Sequence, residues 1–408
     1  MDDTKFMYKG SRRYYLANIA LFLAGFVTFA SLYDFQPLFP NLVREYGITP
    51  AMASLSLSVA TFSLAFTLPF SGSLSDAVGR RPLIIVASIL APVLALGAAV
   101  HHAFSGMLLL RLGQGIILAG VPAVAMAYLN EETEPNALGA AMGLYIAGNG
   151  MGGMSGRILT AWFTDLMGWR WALVTMALLC FVCGLLVWAC LPASRNFSGK
   201  PFQPRALLAS MADHLKNPGL RRLYLIAFCC MGGFVTLYNY VTFRLLGRDF
   251  GLSHTQVGLI FLAYAFGSVS STVMGNLVNT HGRRRILCSA MGIMTIGLVL
   301  TIGSSLWLVI VGIVLFTIGF FGAHSVASAW VGRLAAHSHA QASSLYLFFY
   351  YLGSSISGTI GGTIYHWWAW PGVVALILIL VGTAFMLCLG IQSVPHRPEP
   401  ISPPCSQT

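Results

Sequence analysis

The sequence predicts an all-α membrane protein of twelve transmembrane helices in two pseudo-symmetric six-helix bundles. Three observations carry this. The 408-residue chain has only 9% charged residues, against about 25% in soluble proteins. Its mean hydropathy is +0.76, and its apolar runs repeatedly exceed the roughly 18 residues that mark a bilayer-spanning helix. Finally, a polar decamer, GSLSDAVGRR at 72–81, returns as GNLVNTHGRR at 275–284. Glycine falls on glycine and Arg-Arg on Arg-Arg at a constant interval of 203 residues, half the chain.

Twelve spans follow in order, near 16–38, 51–73, 83–100, 105–128, 138–160, 171–192, 223–246, 255–277, 286–303, 306–329, 342–364 and 372–392. The longest connection, 193–222, is polar and, with Pro192 at its edge, holds four prolines. It links two halves, 1–192 and 223–392, and a tail follows at 393–408. Within the linker, ALLASMADHL at 206–215 has the pattern of a short helix on the membrane surface.

Seventeen Lys and Arg fall in segments on the side of the N-terminus; Arg44, Arg170, Arg244 and Arg248 fall on the other. Positive charge marks the cytoplasmic side, so both termini are expected in the cytoplasm. The net charge of +11 is then a topology signal, and no nucleic-acid partner is expected. Cys180 and Cys183 form a C-x-x-C without a βαβ context, so the eight cysteines read as small packing residues.

A second internal likeness supports the duplication. GLYIAGNGMGGMSG at 143–156 parallels SLYLFFYYLGSSISG at 344–358. Parallel halves related by an axis along the membrane normal place a binding site between them, near the midplane. This pattern points to a transporter.

The decamers have a physical reading of their own. Gly72, Gly79, Gly275 and Gly282 provide for a tight turn and close helix contact. Arg80, Arg81, Arg283 and Arg284 anchor the loops. Asp76 can hold an arginine or cap a helix of the other half when the inner mouth is shut; Asn279 stands near the matching place in the second copy. The alternative is a plain topology anchor.

Here the chain resembles the major facilitator superfamily. GSLSDAVGRRP is similar to that family's loop 2–3 signature, departing from it at Ala77, where the pattern has a basic residue. RLGQG at 111–115 resembles its fourth-helix element, and GNGMGGMSGR at 148–157 the glycine-rich fifth-helix motif of its exporters. LYDFQPLFP, AHSVASAW and QASSLYLFFYYLGSS are similar to the arabinose-efflux-like, drug:proton antiporter branch of bacterial inner-membrane proteins. The resemblance implies the major facilitator fold, a bacterial inner membrane location and proton-linked export.

Charges within spans are expensive and mark functional candidates. Asp34, Arg111 and Arg157 lie about 10, 8 and 12 Å from their span centres toward the outside, at about 1.5 Å per residue. Asp34 is the candidate proton acceptor and Arg111 the partner that keeps it ionised; otherwise Asp34 sits at the interface with Arg44 or water. Arg157 either anchors an anionic substrate or binds backbone carbonyls or Asp165 at the outer helix end. Glu131, Glu132 and Glu134 read as a solvated loop cluster.

Uncharged candidates for the substrate cavity are Tyr33, Gln114, Tyr145, Asn149, Tyr238, Asn239, His324, Tyr346 and Tyr350. An aromatic cavity suits an amphipathic or cationic organic ligand; packing or lipid contact is the plainer role for such rings. GNGMGG satisfies G-x-G-x-x-G but lies mid-span with no strand before it, so it reads as close helix packing with Asn149 as a polar link. No catalytic constellation appears, and neither enzyme activity, a cofactor nor a metal is expected. The expected partners are a small-molecule substrate, protons and the lipid bilayer, with the protein as a monomer. The competing readings are a nutrient uniporter or proton symporter, and a receptor or channel.

Overall fold

The computed structural model describes residues 6–199, 201–335 and 337–391; the tail expected at 393–408 lies outside them. Twelve crossings follow in chain order: α1 Arg12–Tyr46, α2 Pro50–Val78, α3 Arg80–Val100, α4 Phe104–Glu132, α5 Pro135–Met167, α6 Trp169–Cys190, α7 Pro218–Leu246, α8 His254–His281, α9 Arg283–Leu300 and α10 Leu306–Leu334. The last two, α11 (339–368) and α12 (370–389), form one helical run broken at Ala369, whose φ is 47°. Counting that run once, nine stretches are long and apolar enough to cross a bilayer among the described residues. The others are α5 and α9, respectively glycine-rich and headed by three arginines. A surface helix, Pro204–Lys216, follows α6 and is called here the linker helix.

The helices overrun the apolar windows. α2, α4 and α10 continue to Val78, Glu132 and Leu334, because hydropathy marks the hydrocarbon core while a helix runs on through the headgroup layer. Prolines set the internal breaks. Pro37 and Pro40 have no N–H to give, and α1 tightens into a 3₁₀ turn at Gln36–Leu38. Pro122 follows a similar interruption in α4.

Glycine decides which helices touch. Gly148, Gly152 and Gly156 lie four residues apart on the face of α5 that meets α1. A Cβ on Gly152 would stand 2.3 Å from the Phe26 carbonyl oxygen, and one on Gly156 2.7 Å from the Ala30 Cα. In the second half, a Cβ on Gly353 of α11 would stand 2.1 Å from the Phe228 oxygen of α7. The repeated motif thus packs the fifth helix of each bundle on the first. Without a hydrophobic force between helices in lipid, such close approach is what holds them.

Both decamer loops lie on one face of the molecule, beside the linker. Arg80 stands over the Phe197 ring at 5.8 Å, and Arg283 lies near Arg333 at the end of α10. This is the linker face; the opposite one, with the 47–49 and 247–253 connections, is the distal face. Gly79 (φ 101°) and Gly282 (φ 81°) make the turns. Gly72 has open space around its Cβ position, so close packing is not its role; its carbonyl accepts from Arg80 instead.

The two bundles join chiefly toward the distal side. Ser58 and Thr359 bond at 3.0 Å, and Thr61 and Ser355 at 2.7 Å, along the α2–α11 contact. A Cβ on Gly362 would meet the Ala51 Cα at 2.4 Å. Asp165 of α5 accepts from the backbone of His254 and Thr255, closing the first turn of α8. A charged cap at a helix N-terminus satisfies donors that have no partner within the helix.

Candidate functional site

The break in α1 builds the first part of the site. Where α1 departs from regular helix, the carbonyls of Ser31 and Leu32 are left for other donors. Arg111 of α4 fills the need: Nη1 donates to Ser31 O at 2.8 Å and Nη2 to Leu32 O at 2.6 Å. Its Nε donates to Ser56 O of α2 at 2.7 Å, and Nη1 also to Gln114 Oε1. Irregular backbone at membrane depth has to be satisfied this way. Asp34, 1% exposed, stands 3.4 Å from the same Nη1, and the Phe35 ring lies 4.6 Å from the guanidinium carbon. Burial disfavours the Asp34 charge and the neighbouring cation favours it, so the acid sits between opposed influences.

Arg157 takes a backbone carbonyl, one of its expected partners, and does not pair with Asp165. It donates to Gly153 O one turn back and to Gln36 Oε1 at 2.5 Å, while Asp165 is engaged with α8. Three rings surround its guanidinium carbon: Tyr33 at 3.9 Å, Phe261 at 5.0 Å and Tyr264 at 5.1 Å. Gln36 in turn donates through Nε2 to Asn239 Oδ1 at 2.7 Å. Arg157 and Gln36 belong to the first bundle and Asn239, Phe261 and Tyr264 to the second, so the group straddles the join.

The other candidates fall into two sets. His324 Nδ1 and the Tyr346 hydroxyl are 3.0 Å apart, and the His324 and Tyr350 rings lie 4.8 Å apart. With Ile226, Cys230 and Phe320 they line a closed seam with no room for a water molecule. Stacked rings run from it toward Arg157: Phe320 on Phe234 at 3.8 Å, and Phe234 beside Tyr264 at 5.6 Å. Tyr238 is tied to Thr317 at 2.7 Å and stacks on Phe261. Tyr145 and Asn149 make other contacts, the first donating to Pro122 O of α4 and the second packed on Gly25 of α1.

On the linker face Arg80 pairs with Asp76 and with Glu131, the latter at 2.7 Å, and donates to Ser75. Arg81 donates to Leu191 O at the end of α6. The second copy, with Asn279 exposed, holds no ion pair among the described residues. The expected solvated Glu cluster is corrected here. Glu132 is fully buried, accepts from the backbone of Arg195 and Asn196 at 2.7 and 2.8 Å, and lies 3.6 Å from Arg13. It ties down the start of the linker, a role invisible until the linker folds back.

Gln36, Phe261 and Tyr264 were not singled out in the sequence. Gln36 is uncharged and escapes a search for charge in lipid; an amide beside a proline in an apolar run was its signal. The two rings look like any aromatic in a membrane helix.

The model of the Major Facilitator Superfamily matches residues 21–247 and 223–404. The chain is 43% identical to the uncharacterized MFS-type transporter YybF of Bacillus subtilis over 93% of its length and 94% of that protein's. It is 43% identical to the inner membrane transport protein YnfM of Escherichia coli over 94% and 92%. More distant matches include, at 26% identity over 65% of this chain, the multi-drug resistance efflux pump PmrA of Streptococcus pneumoniae. A bacterial homologue of the human lysosomal transporter Spinster, solved inward-facing and unoccupied, superposes with a TM-score of 0.74 at 15% identity, covering 95% of this chain and 100% of its own.

Proposed function

This chain belongs to the Major Facilitator Superfamily, and from that premise we propose that it exports a small organic molecule against an inward flow of protons. It is a multi-pass membrane transporter; direction, coupling and orientation are the proposal. The bodies that rock are residues 1–192 and 223–392, joined by the linker at 193–222. With both termini in the cytoplasm, as the positive charge suggests, the distal contacts form the outer gate. The His324, Tyr346 and Tyr350 cluster then lies toward the inner ends of α10 and α11.

The observation that carries the coupling is the uneven dependence within the Asp34–Arg111 pair. Arg111 has three backbone carbonyls and Gln114 as partners at 2.5–2.8 Å, so the acid at 3.4 Å is the most distant of them. Protonating Asp34 weakens that contact while leaving Arg111 anchored. An acid whose charge can come and go without unmaking the helix junction suits a proton carrier. Loss of the charge changes the field around Arg111 while the α1–α4 junction stays made, and release of the proton on the other side restores it.

Asp34→Asn in proteoliposomes tests this. Export driven by a proton gradient is expected to vanish, while undriven exchange of substrate continues. Intact gradient-driven export in the variant removes Asp34 from the mechanism. Gradient-driven uptake by the unaltered protein in the same vesicles marks a symporter instead. PmrA is named an efflux pump, and the exporter-like glycine motif of α5 supports the same direction.

A further inference from the structure

The buried charges do not cancel. Arg157 is 2% exposed, yet no carboxylate of the described residues pairs with it. Asp34 is spent on Arg111, and the other buried acid, Glu132, is held at the linker face by Arg13. The guanidinium meets only neutral groups: a carbonyl, an amide oxygen and three rings. A desolvated cation without a counter-charge is strongly unfavourable, and such a group persists where function requires it. A second orphan is joined to it through the Gln36 amide. Asn239 is wholly buried, its oxygen takes the Gln36 amide, and its Nδ2 has no acceptor. Arg157 lacks a negative charge and Asn239 lacks an acceptor, and an anionic oxygen is the kind of group that meets both needs.

We propose that Arg157 and Asn239, walled by Tyr33, Phe261 and Tyr264, form a subsite for the anionic group of a substrate with a flat apolar body. One unpaired guanidinium matches one negative charge, so the class is an aromatic or similarly planar monoanion, a carboxylate or sulfonate. The rings supply faces for its body. Of the ligand characters the sequence left open, an anion on Arg157 or an amphipathic or cationic body among the rings, the unpaired guanidinium favours the anion. Gln36, now the neutral stand-in on Nε, yields its place to the anion. Since Gln36 also bonds Asn239 across the join, anion binding bears directly on the contact that shuts the distal side. The inference rests on the transporter reading and adds the substrate class to it.

The test is thermal unfolding of the purified full chain in lipid nanodiscs with three matched probes: 2-naphthoate, 2-naphthamide and 2-naphthylmethylammonium. A ligand that binds the folded state raises its midpoint saturably. Naphthoate is expected to stabilise the protein at least tenfold more tightly than the amide or the ammonium. Arg157→Gln is expected to abolish that preference, and Arg157→Lys to keep part of it. Without any probe, Arg157→Gln is expected to unfold at the same temperature as the unaltered protein or higher, since it removes an unpaired charge. Equal stabilisation by amide and carboxylate, no shift by any probe, or a midpoint several degrees lower in probe-free Arg157→Gln overturns the proposal. Asp34→Asn is expected to keep the naphthoate shift. If it also keeps gradient-driven export, the coupling role fails while the anion subsite stands.

Discussion

Gln36 Nε2 and Asn239 Oδ1, 203 residues apart, bond at 2.7 Å across the join of the two bundles. The interval is that of the duplicated loops. The bond sits under the distal contacts and touches Arg157 through the other end of the same amide. Breaking it weakens closure without touching either bundle's core. Loss of one such bond is worth about 1 kcal/mol, or about a fivefold shift between closed and open forms. In Gln36→Ala, spin labels at 48 and 366 are expected to show a larger population at long distance.

Arg111 is a structural keystone as well as Asp34's partner. Arg111→Ala strands three buried carbonyls and an acid, and is expected to cost about 3–5 kcal/mol, the range for leaving a buried charge unpaired. Asp34→Asn leaves all the carbonyl bonds in place but takes the acid from Arg111, and is expected to cost less, about 1.5–3 kcal/mol. Thermal unfolding of the two variants side by side checks the ranking.

The glycines of α5 make a paired test. Gly152→Ala puts a methyl against the Phe26 backbone and is expected to cost about 1–3 kcal/mol through forced separation of α5 from α1. Gly150 faces open space, and Gly150→Ala is expected to be neutral or to gain about 0.5–1 kcal/mol from helix propensity. Equal effects of the two would contradict the packing described here.

The linker helix carries a pH dependence. His214 is 3% exposed and stacks on His337 at 5.1 Å. Burial is the main cause holding its pKa below the ordinary 6.5; His337 and His339 add to this, while Asp213 and a hydrogen bond with the Ser338 backbone oppose it. A lowered histidine pKa means the docked state binds the proton less readily than the free one. The stabilisation is complete above about pH 6.5 and is lost as pH falls through the lowered value. Amide protection in 204–216, relative to the intrinsic exchange rate at each pH, is expected to fall between pH 7.5 and 5, and His214→Gln to flatten the trend.

Glu132 makes the start of the linker rigid. Glu132→Ala removes the acceptor for the Arg195 and Asn196 amides and is expected to open the 193–203 stretch to added protease severalfold faster. Unchanged cleavage would mean that the linker is held by other contacts.

Much of this was legible in the chain because the bilayer imposes it. Water-free surroundings demand long apolar helices with their own hydrogen bonds satisfied, and the duplication survives in the shared glycines and Arg-Arg pairs of GSLSDAVGRR and GNLVNTHGRR. The depth of Asp34 and Arg111 followed from counting along a rigid rod. What counting cannot give is azimuth. Arg157 shares their depth but faces Gln36, because the glycine stripe of α5 fixes how that helix is turned against α1. Glu132 reads as a loop acid until the linker amides arrive from 63 and 64 residues away.

The sequence by itself therefore determined the membrane class, the two halves and the place of each charge along its own helix, since all three depend on hydrophobicity and on positions along single helices. Only the tertiary structure decided who neutralises whom. Pairing across helices depends on rotation and on the proline-made break in α1, and these arise from packing many side chains at once. That is why one buried arginine found its acid and another was left facing rings and amides.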